Sequence, residues 1–195
     1  MPRIGTDTIA KLGRGVLTYS RAPLDTCPGA SAWCAAACYA QGPYRRYPQS
    51  RARWDANGAT SAVPALPQPR KDGARTLLRL HVSGDFDTAP YVHTWRRALE
   101  ERPDVLAWGY TRSWRVPRLR KALDALRALP NVQLFASWDA SMGDERPPEG
   151  WRVAYIHPAP VQAYACPEQD GRKADCASCR YCFDGRRGDV SFRVH

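Results

Sequence analysis

The sequence predicts an α/β fold built on a parallel sheet. From residue 76 onward, short apolar or β-branched stretches alternate with stretches of helical periodicity. The helical stretches open on start signals, Thr88 before Ala89-Pro90 and Pro117 before Arg118. The spacing suits a strand, a crossover and a next strand running the same way, with the right-handed connection that such units adopt.

Taken in order, Gly15-Val16-Leu17-Thr18-Tyr19-Ser20 reads as a first strand. A cysteine-bearing loop follows it, then Gln41 to Pro48, which reads as irregular and basic, and a proline-containing surface loop from Gly58 to Gly73. Thr76 to Val82 is a largely buried strand ending at Ser83-Gly84-Asp85-Phe86. Thr88 caps a helix reaching Glu101, and Val105 to Tyr110 is the next strand, ending at Thr111-Arg112-Ser113-Trp114. Pro117 opens a helix whose Leu119, Leu123, Leu126 and Leu129 form one apolar stripe, with Arg118, Lys121 and Arg127 opposite. Val132 to Ala136 ends at Ser137-Trp138-Asp139, and Trp151 to Ile156 ends at His157-Pro158.

Functional groups of parallel sheets gather at the carboxyl ends of the strands. Ser83, Asp85, Thr111, Arg112, Ser113, Ser137, Asp139 and His157 all fall there, and the cysteine loop opens onto the same rim. Each of these polar residues taken alone also fits a helix cap or turn former, Asp85 and Asp139 especially. His157 also fits a hydrogen-bonded loop histidine.

The seven cysteines fall into a group of three, Cys27, Cys34 and Cys38, and a group of four, Cys166, Cys176, Cys179 and Cys182. An odd number argues against a simple disulfide framework, and clustered cysteines in a reducing compartment are more often ligands. The first group has C-x6-C-x3-C spacing. Three thiolates suit an iron–sulfur cluster that leaves one iron open, whereas a closed zinc site wants four ligands. Cys34 and Cys38 are expected on one face of a short alanine-rich helix, with Cys27 reaching them from the turn at Pro28-Gly29. The second group is a complete four-cysteine site, for a second cluster or for structural zinc. Either metal would stabilise a polar segment that core burial alone could not fold. The division expected is an α/β domain over 1–160 and a metal-binding segment over 161–195, with residues 184–195 as a short terminal extension.

Composition bounds the class. A chain of 195 residues with 44% hydrophobic content can bury a real core in one domain. No apolar run approaches the roughly 20 residues that span a bilayer. Met1-Pro2-Arg3-Ile4-Gly5 carries no signal-peptide stretch, so the expectation is a cytoplasmic protein. The formal net charge of +10 is compatible with a nucleic-acid or other polyanionic partner. Trp33, Tyr39, Tyr44, Tyr47 and Trp114 are the aromatic residues such a partner could stack on.

Two resemblances follow from these motifs. Thr26-Cys27-Pro28-Gly29 with Cys34, Cys38-Tyr39-Ala40, Ser83-Gly84-Asp85-Phe86, Tyr110 to Trp114, and Cys166-Pro167-Glu168-Gln169 with Cys176, Cys179 and Cys182 resemble the gene-product-eighty-eight family of phage and actinobacterial proteins. That resemblance covers most of the chain and implies no established activity. More distantly, the cysteine loop after the first strand is similar to that of radical S-adenosylmethionine (SAM) enzymes, which place it on a partial (β/α) barrel. This second resemblance implies a barrel-like sheet of about five to six strands. It also implies a [4Fe-4S] cluster on Cys27, Cys34 and Cys38 whose open iron binds SAM, and an auxiliary cluster at the C-terminal cysteines.

In that reading the cluster cleaves SAM to a 5′-deoxyadenosyl radical, with electrons from a reductant such as ferredoxin or flavodoxin. Ser83, Gly84 and Asp85 would bind the SAM amino group, while Arg112, Ser113, Ser137 and Asp139 would contact SAM or substrate. Asp85, Arg112 and Asp139 are the residues expected to be catalytic. The alternatives are a nucleic-acid-binding protein with structural metal sites and a non-SAM iron–sulfur redox protein.

Overall fold

The computed structural model describes residues 1–5, 9–156, 159–185 and 188–194. His157 and Pro158 lie outside the described residues.

Among those residues the chain forms β1 (Val16–Tyr19), α1 (Ala32–Ala36), α2 (Gln41–Arg46), α3 (Pro48–Gly58), β2 (Thr76–Leu80) and α4 (Ala89–Glu100). Then follow β3 (Val105–Thr111), α5 (Pro117–Arg127), β4 (Val132–Trp138), β5 (Arg152–Ile156), β6 (Tyr164–Ala165), α6 (Cys176–Cys179) and β7 (Val190–Phe192). The seven strands make one sheet in the order β1-β2-β3-β4-β5-β7-β6, and every pairing is parallel. The α/β class and the parallel sheet are as expected. The strand number is seven rather than five to six, because the C-terminal segment contributes β6 and β7.

From β1 to β5 the strands lie in sequence order with no reversal. Crossovers of one hand stepping in one direction put their helices on one face. The packing follows that rule. Leu78, Leu80, Val105, Ala107, Val132, Leu134 and Ala136 point to one side, where they bury Tyr91, Trp95 and Leu99 of α4 and Leu119, Leu123 and Leu126 of α5. The expected leucine stripe is thus the core face of α5, and Leu129 packs at its edge. Thr88 caps α4 by accepting from Tyr91 N at 3.4 Å, and Pro90 and Pro117 occupy first-turn positions where an N–H has no helical acceptor.

The alternate strand residues face the other way. Leu106, Trp108, Phe135, Ala154 and Val190 are covered not by crossover helices but by Leu12, Phe183 and Cys182. The cysteine-bearing C-terminal segment therefore closes the back face of the sheet while its two strands extend the edge.

Several expectations change in detail. Gln41 to Pro48 was expected to be irregular and instead forms α2 and the start of α3. Pro43 sits in the first turn of one helix and Pro48 opens the next, so neither proline removes a helical hydrogen bond. Strand β2 stops at Leu80 rather than Val82, because His81 takes φ +53° and turns the chain. Residues 184–195 are not a bare extension: Val190-Ser191-Phe192 pairs with both β5 and β6.

Candidate functional site

Three loops meet at the carboxyl ends of β1, β2 and β3. The cysteine loop is seated by two close backbone approaches. An added Cβ on Gly29 would lie 2.0 Å from the carbonyl oxygen of Arg112, so only glycine lets this loop reach β3. Gly84, at φ +75°, lies against Arg21 and Thr26, where a Cβ would fall 2.6 Å from Thr26 Oγ1. Gly84 is therefore a contact point between the ends of β2 and β1, and Gly29 one between the loop after β1 and the end of β3.

The carboxylates act as ties across these ends. Asp85 Oδ1 accepts from Thr111 Oγ1 at 2.6 Å and Phe86 N at 2.8 Å. Its Oδ2 accepts from Arg112 N at 2.8 Å and Ser113 N at 3.2 Å. Burial raises its carboxyl above the ordinary range, with these four donors opposing. Asp139 Oδ2 accepts from Ser31 Oγ at 2.6 Å and from Arg112 Nη2 at 3.0 Å, and its Oδ1 accepts from Ser141 Oγ and N. Burial alone would raise Asp139, and the hydrogen bonds from Ser141, Ser31 and Arg112 together hold it below the ordinary carboxylate range.

Ser31 is also the N-cap of α1, its hydroxyl accepting from Cys34 N at 3.0 Å. A continuous chain thus runs from Cys34 through Ser31 and Asp139 to Arg112. Helix α1 ends at Ala36, so Cys34 is helical while Cys38 lies beyond the helix. The expected common helical face is not formed; the five-residue helix is too short to contain both.

Cys27, Cys34 and Cys38 nevertheless line one cavity of about 220 Å³. Ser83, Gly84, Asp85, Arg112 and Ser137 line it as well. Ser113 and Asp139 do not. The Ser113 hydroxyl donates to Phe86 O at 2.6 Å inside the core, and Asp139 acts through Ser31 and Arg112. Thr111, fully buried, supports Asp85.

The opposite wall comes from the back face of the sheet and from the C-terminal segment. Cys166 and Cys176 line the same 220 Å³ cavity, and all four C-terminal cysteines line a smaller space of about 30 Å³ behind it. Tyr110 borders both, and its hydroxyl donates to Cys182 Sγ at 3.0 Å. Tyr110 thus stands between the cavity and the C-terminal cysteines.

Burial pushes the Cys27 thiol up to about 12, with Asp85 and the thiols of Cys34 and Cys38 adding to it. Cys34 is raised by burial against the opposing charge of Arg112. Cys176 is raised to about 12 and Cys182 to about 11, again chiefly by burial. These thiols hold their protons near neutrality, so a metal would displace them on binding. Among the described residues, no three His, Cys, Asp or Glu side chains close to the spacing that would hold a single metal ion.

Sequence reasoning missed Ser31, Arg79, His81 and Tyr110. Arg79 carried a signal: a lone charge inside the apolar strand Leu77-Leu78-Arg79-Leu80. It is 8% exposed and lines the cavity. His81 is buried, bonds Tyr91 Oη through Nε2 at 2.7 Å and stacks edge-on against Phe86.

Of the aromatic residues that could stack on a nucleic acid, Trp33 and Tyr39 line the cavity. Trp114 is buried with its Nε1 donating to Ser137 O at 3.0 Å, and Tyr44 stacks on Trp54. No helix of the described residues is long and apolar enough to cross a membrane.

A family model described as Gene product 88 matches residues 4–185, and the chain belongs to that family. It is 29% identical to the Gene 88 protein of Mycobacterium phage D29, over 83% of this chain and 80% of the relative. It is 28% identical to the Gene 88 protein of Mycobacterium phage L5, over the same shares of the two chains. No solved structure matches it.

Proposed function

We propose that this member of the phage-related Gene product 88 family is an iron–sulfur enzyme of radical SAM type, acting on a small molecule. The observation that carries the reading is the convergence of Cys27, Cys34 and Cys38 on one cavity at the carboxyl end of a parallel sheet, beside Ser83, Gly84, Asp85 and Arg112. Three soft thiolates around a space of about 220 Å³ fit a multi-iron group rather than a single ion. They would hold a [4Fe-4S] cluster and leave one iron without a protein ligand. The unreversed order of β1 to β5 supports a barrel-like arrangement, since a (β/α) barrel adds its strands in that way.

When bound, the cluster supplies one-electron chemistry on SAM, and the chain supplies binding, orientation and exclusion of water. Ser83 and Asp85 offer a hydroxyl and a negative charge on the wall where the SAM ammonium would sit. Arg112, its backbone held by Asp85 and its guanidinium by Asp139, and Ser137 would face the carboxylate or the substrate. Asp139, linked through Ser31 to the N-terminus of α1, keeps Cys34 in place. The four C-terminal cysteines would hold a second cluster or zinc. This reading requires a reducing cytoplasm and a reductant of ferredoxin or flavodoxin type.

Anaerobic reconstitution with iron and sulfide tests it. The expected result is iron and sulfide for two clusters, one of them lost in Cys34→Ala, with a SAM-dependent change in the electron paramagnetic resonance spectrum and formation of 5′-deoxyadenosine. Clusters without either SAM response would make it a non-SAM iron–sulfur protein, and zinc in place of iron at both sites would overturn the reading altogether.

A further inference from the structure

Arg79 is a buried charge without an ion-pair partner among the described residues. It sits one residue from the carboxyl end of β2, beside Trp108 of β3 in register, and points to the back face of the sheet where the cavity opens. Its side chain is held in two ways. Nη1 donates to the carbonyl of Leu80, and the guanidinium carbon lies 4.3 Å from the centre of the Tyr110 ring. Among the described residues no carboxylate pairs with it, and Nε and Nη2 donate to no protein atom. Asp85 and Glu168 line the same cavity without forming an ion pair with it, and Asp85 has its four donors elsewhere.

A guanidinium is costly to bury unless a partner of opposite charge meets it. Contact with an aromatic face offsets part of that cost and leaves the edge of the fork free. The Nε–Nη2 edge is the side that pairs bidentately with a carboxylate or phosphate. We propose that Arg79 is an anion-binding residue of this cavity and that the cavity's ligand carries a carboxylate or phosphate group which docks on it.

The recognition chemistry follows from the surroundings. The Tyr110 ring covers one face of the guanidinium, and Trp108 lines the same cavity, so the anion approaches from the cavity. Stacking on Tyr110 and the bond from Nη1 to Leu80 fix the plane of the fork, which favours a planar carboxylate or a phosphate face over a halide. The site stands on residues of β2 and β3 and does not depend on whether iron is held at Cys27, Cys34 and Cys38.

The test uses the full chain in a constant background of sodium chloride, with inorganic phosphate and ¹³C-labelled acetate as probes. Line broadening of the phosphate ³¹P signal and of the acetate carboxylate signal reports binding. Wild type and Arg118→Met, which alters an exposed arginine of α5, are expected to broaden at least one probe equally. Arg79→Met should lose that broadening, and Arg79→Lys should keep part of it. The probe that responds distinguishes a phosphate ligand from a carboxylate ligand. Wild type should bind the probe both before and after iron reconstitution, which separates this site from the cluster reading. Far-ultraviolet circular dichroism and thermal midpoints verify that each variant is folded. No broadening by wild type, or equal broadening by a folded Arg79→Met, would overturn the assignment.

Discussion

The Ser31 hydroxyl and the Asp139 carboxylate, 108 residues apart in sequence, share a hydrogen bond of 2.6 Å. That single contact joins the loop after β1 to the end of β4 and passes through the N-cap of the helix that carries Cys34. It makes Asp139 a positioning residue for a thiol it does not touch.

Ser31→Ala removes the N-cap and leaves Asp139 with one donor fewer. The expected loss is about 1–2 kcal/mol of stability in urea denaturation, with Ser31→Thr recovering most of it. Asp139→Asn should couple to it, so that the double variant loses less than the two single losses added. Strict additivity would mean that the two residues act separately.

Gly29→Ala drives a methyl group against the backbone of Arg112 and Ser113, neither of which is the end of a flexible side chain. A loss of about 1–3 kcal/mol is expected. Gly42→Ala is the contrasting change, because nothing lies within 4 Å of its added Cβ and the position is helical. It should raise stability by up to about 1 kcal/mol. Thermal unfolding of the pair checks both signs.

His81 is held well below its ordinary value of 6.5, by burial first and then by the charges of Arg21 and Arg79. The unfolded chain therefore binds a proton at His81 that the folded chain does not. Stability is expected to fall as pH drops below 6.5 and to level only below the folded value. His81→Asn removes the titrating group and tolerates the left-handed backbone. Its stability should depend less on pH in that window, whatever its absolute value, when urea midpoints are measured from neutral pH downward.

Cys27, with its thiol near 12, and Cys176, likewise near 12, give up protons when a metal binds. Iron loading should therefore rise with pH across the range of roughly 6.5 to 8.5 over which the protein is reconstituted. Cys34→Ala should lose the iron of one group and Cys179→Ala that of the other, by metal analysis. Loss of all metal in either variant would mean that the two groups form one shared site, as their common cavity allows.

Much of this arrangement was legible locally. Leu119, Leu123 and Leu126 repeat with helical period and became the core face of α5, and Thr88 caps α4 as its residue type requires. Other features depended on length. Five residues of helix could not carry both Cys34 and Cys38, and two proline-opened helices replaced an irregular stretch at Gln41 to Pro48. Arg79 is a lone charge in the apolar run of β2, a signal that was missed and that does not reveal what faces the side chain.

By itself the sequence determined the parallel α/β framework, the rim on which polar groups gather and the two cysteine groups. Those follow from periodicity, turn chemistry and spacing, which act within a few residues. Only the tertiary structure decided that Ser31 meets Asp139, that Gly29 lies against Arg112, and that the C-terminal cysteines close the back face beside Arg79 and Tyr110. Such contacts depend on strand order and on which face each connection crosses, and no local stretch of sequence encodes either one.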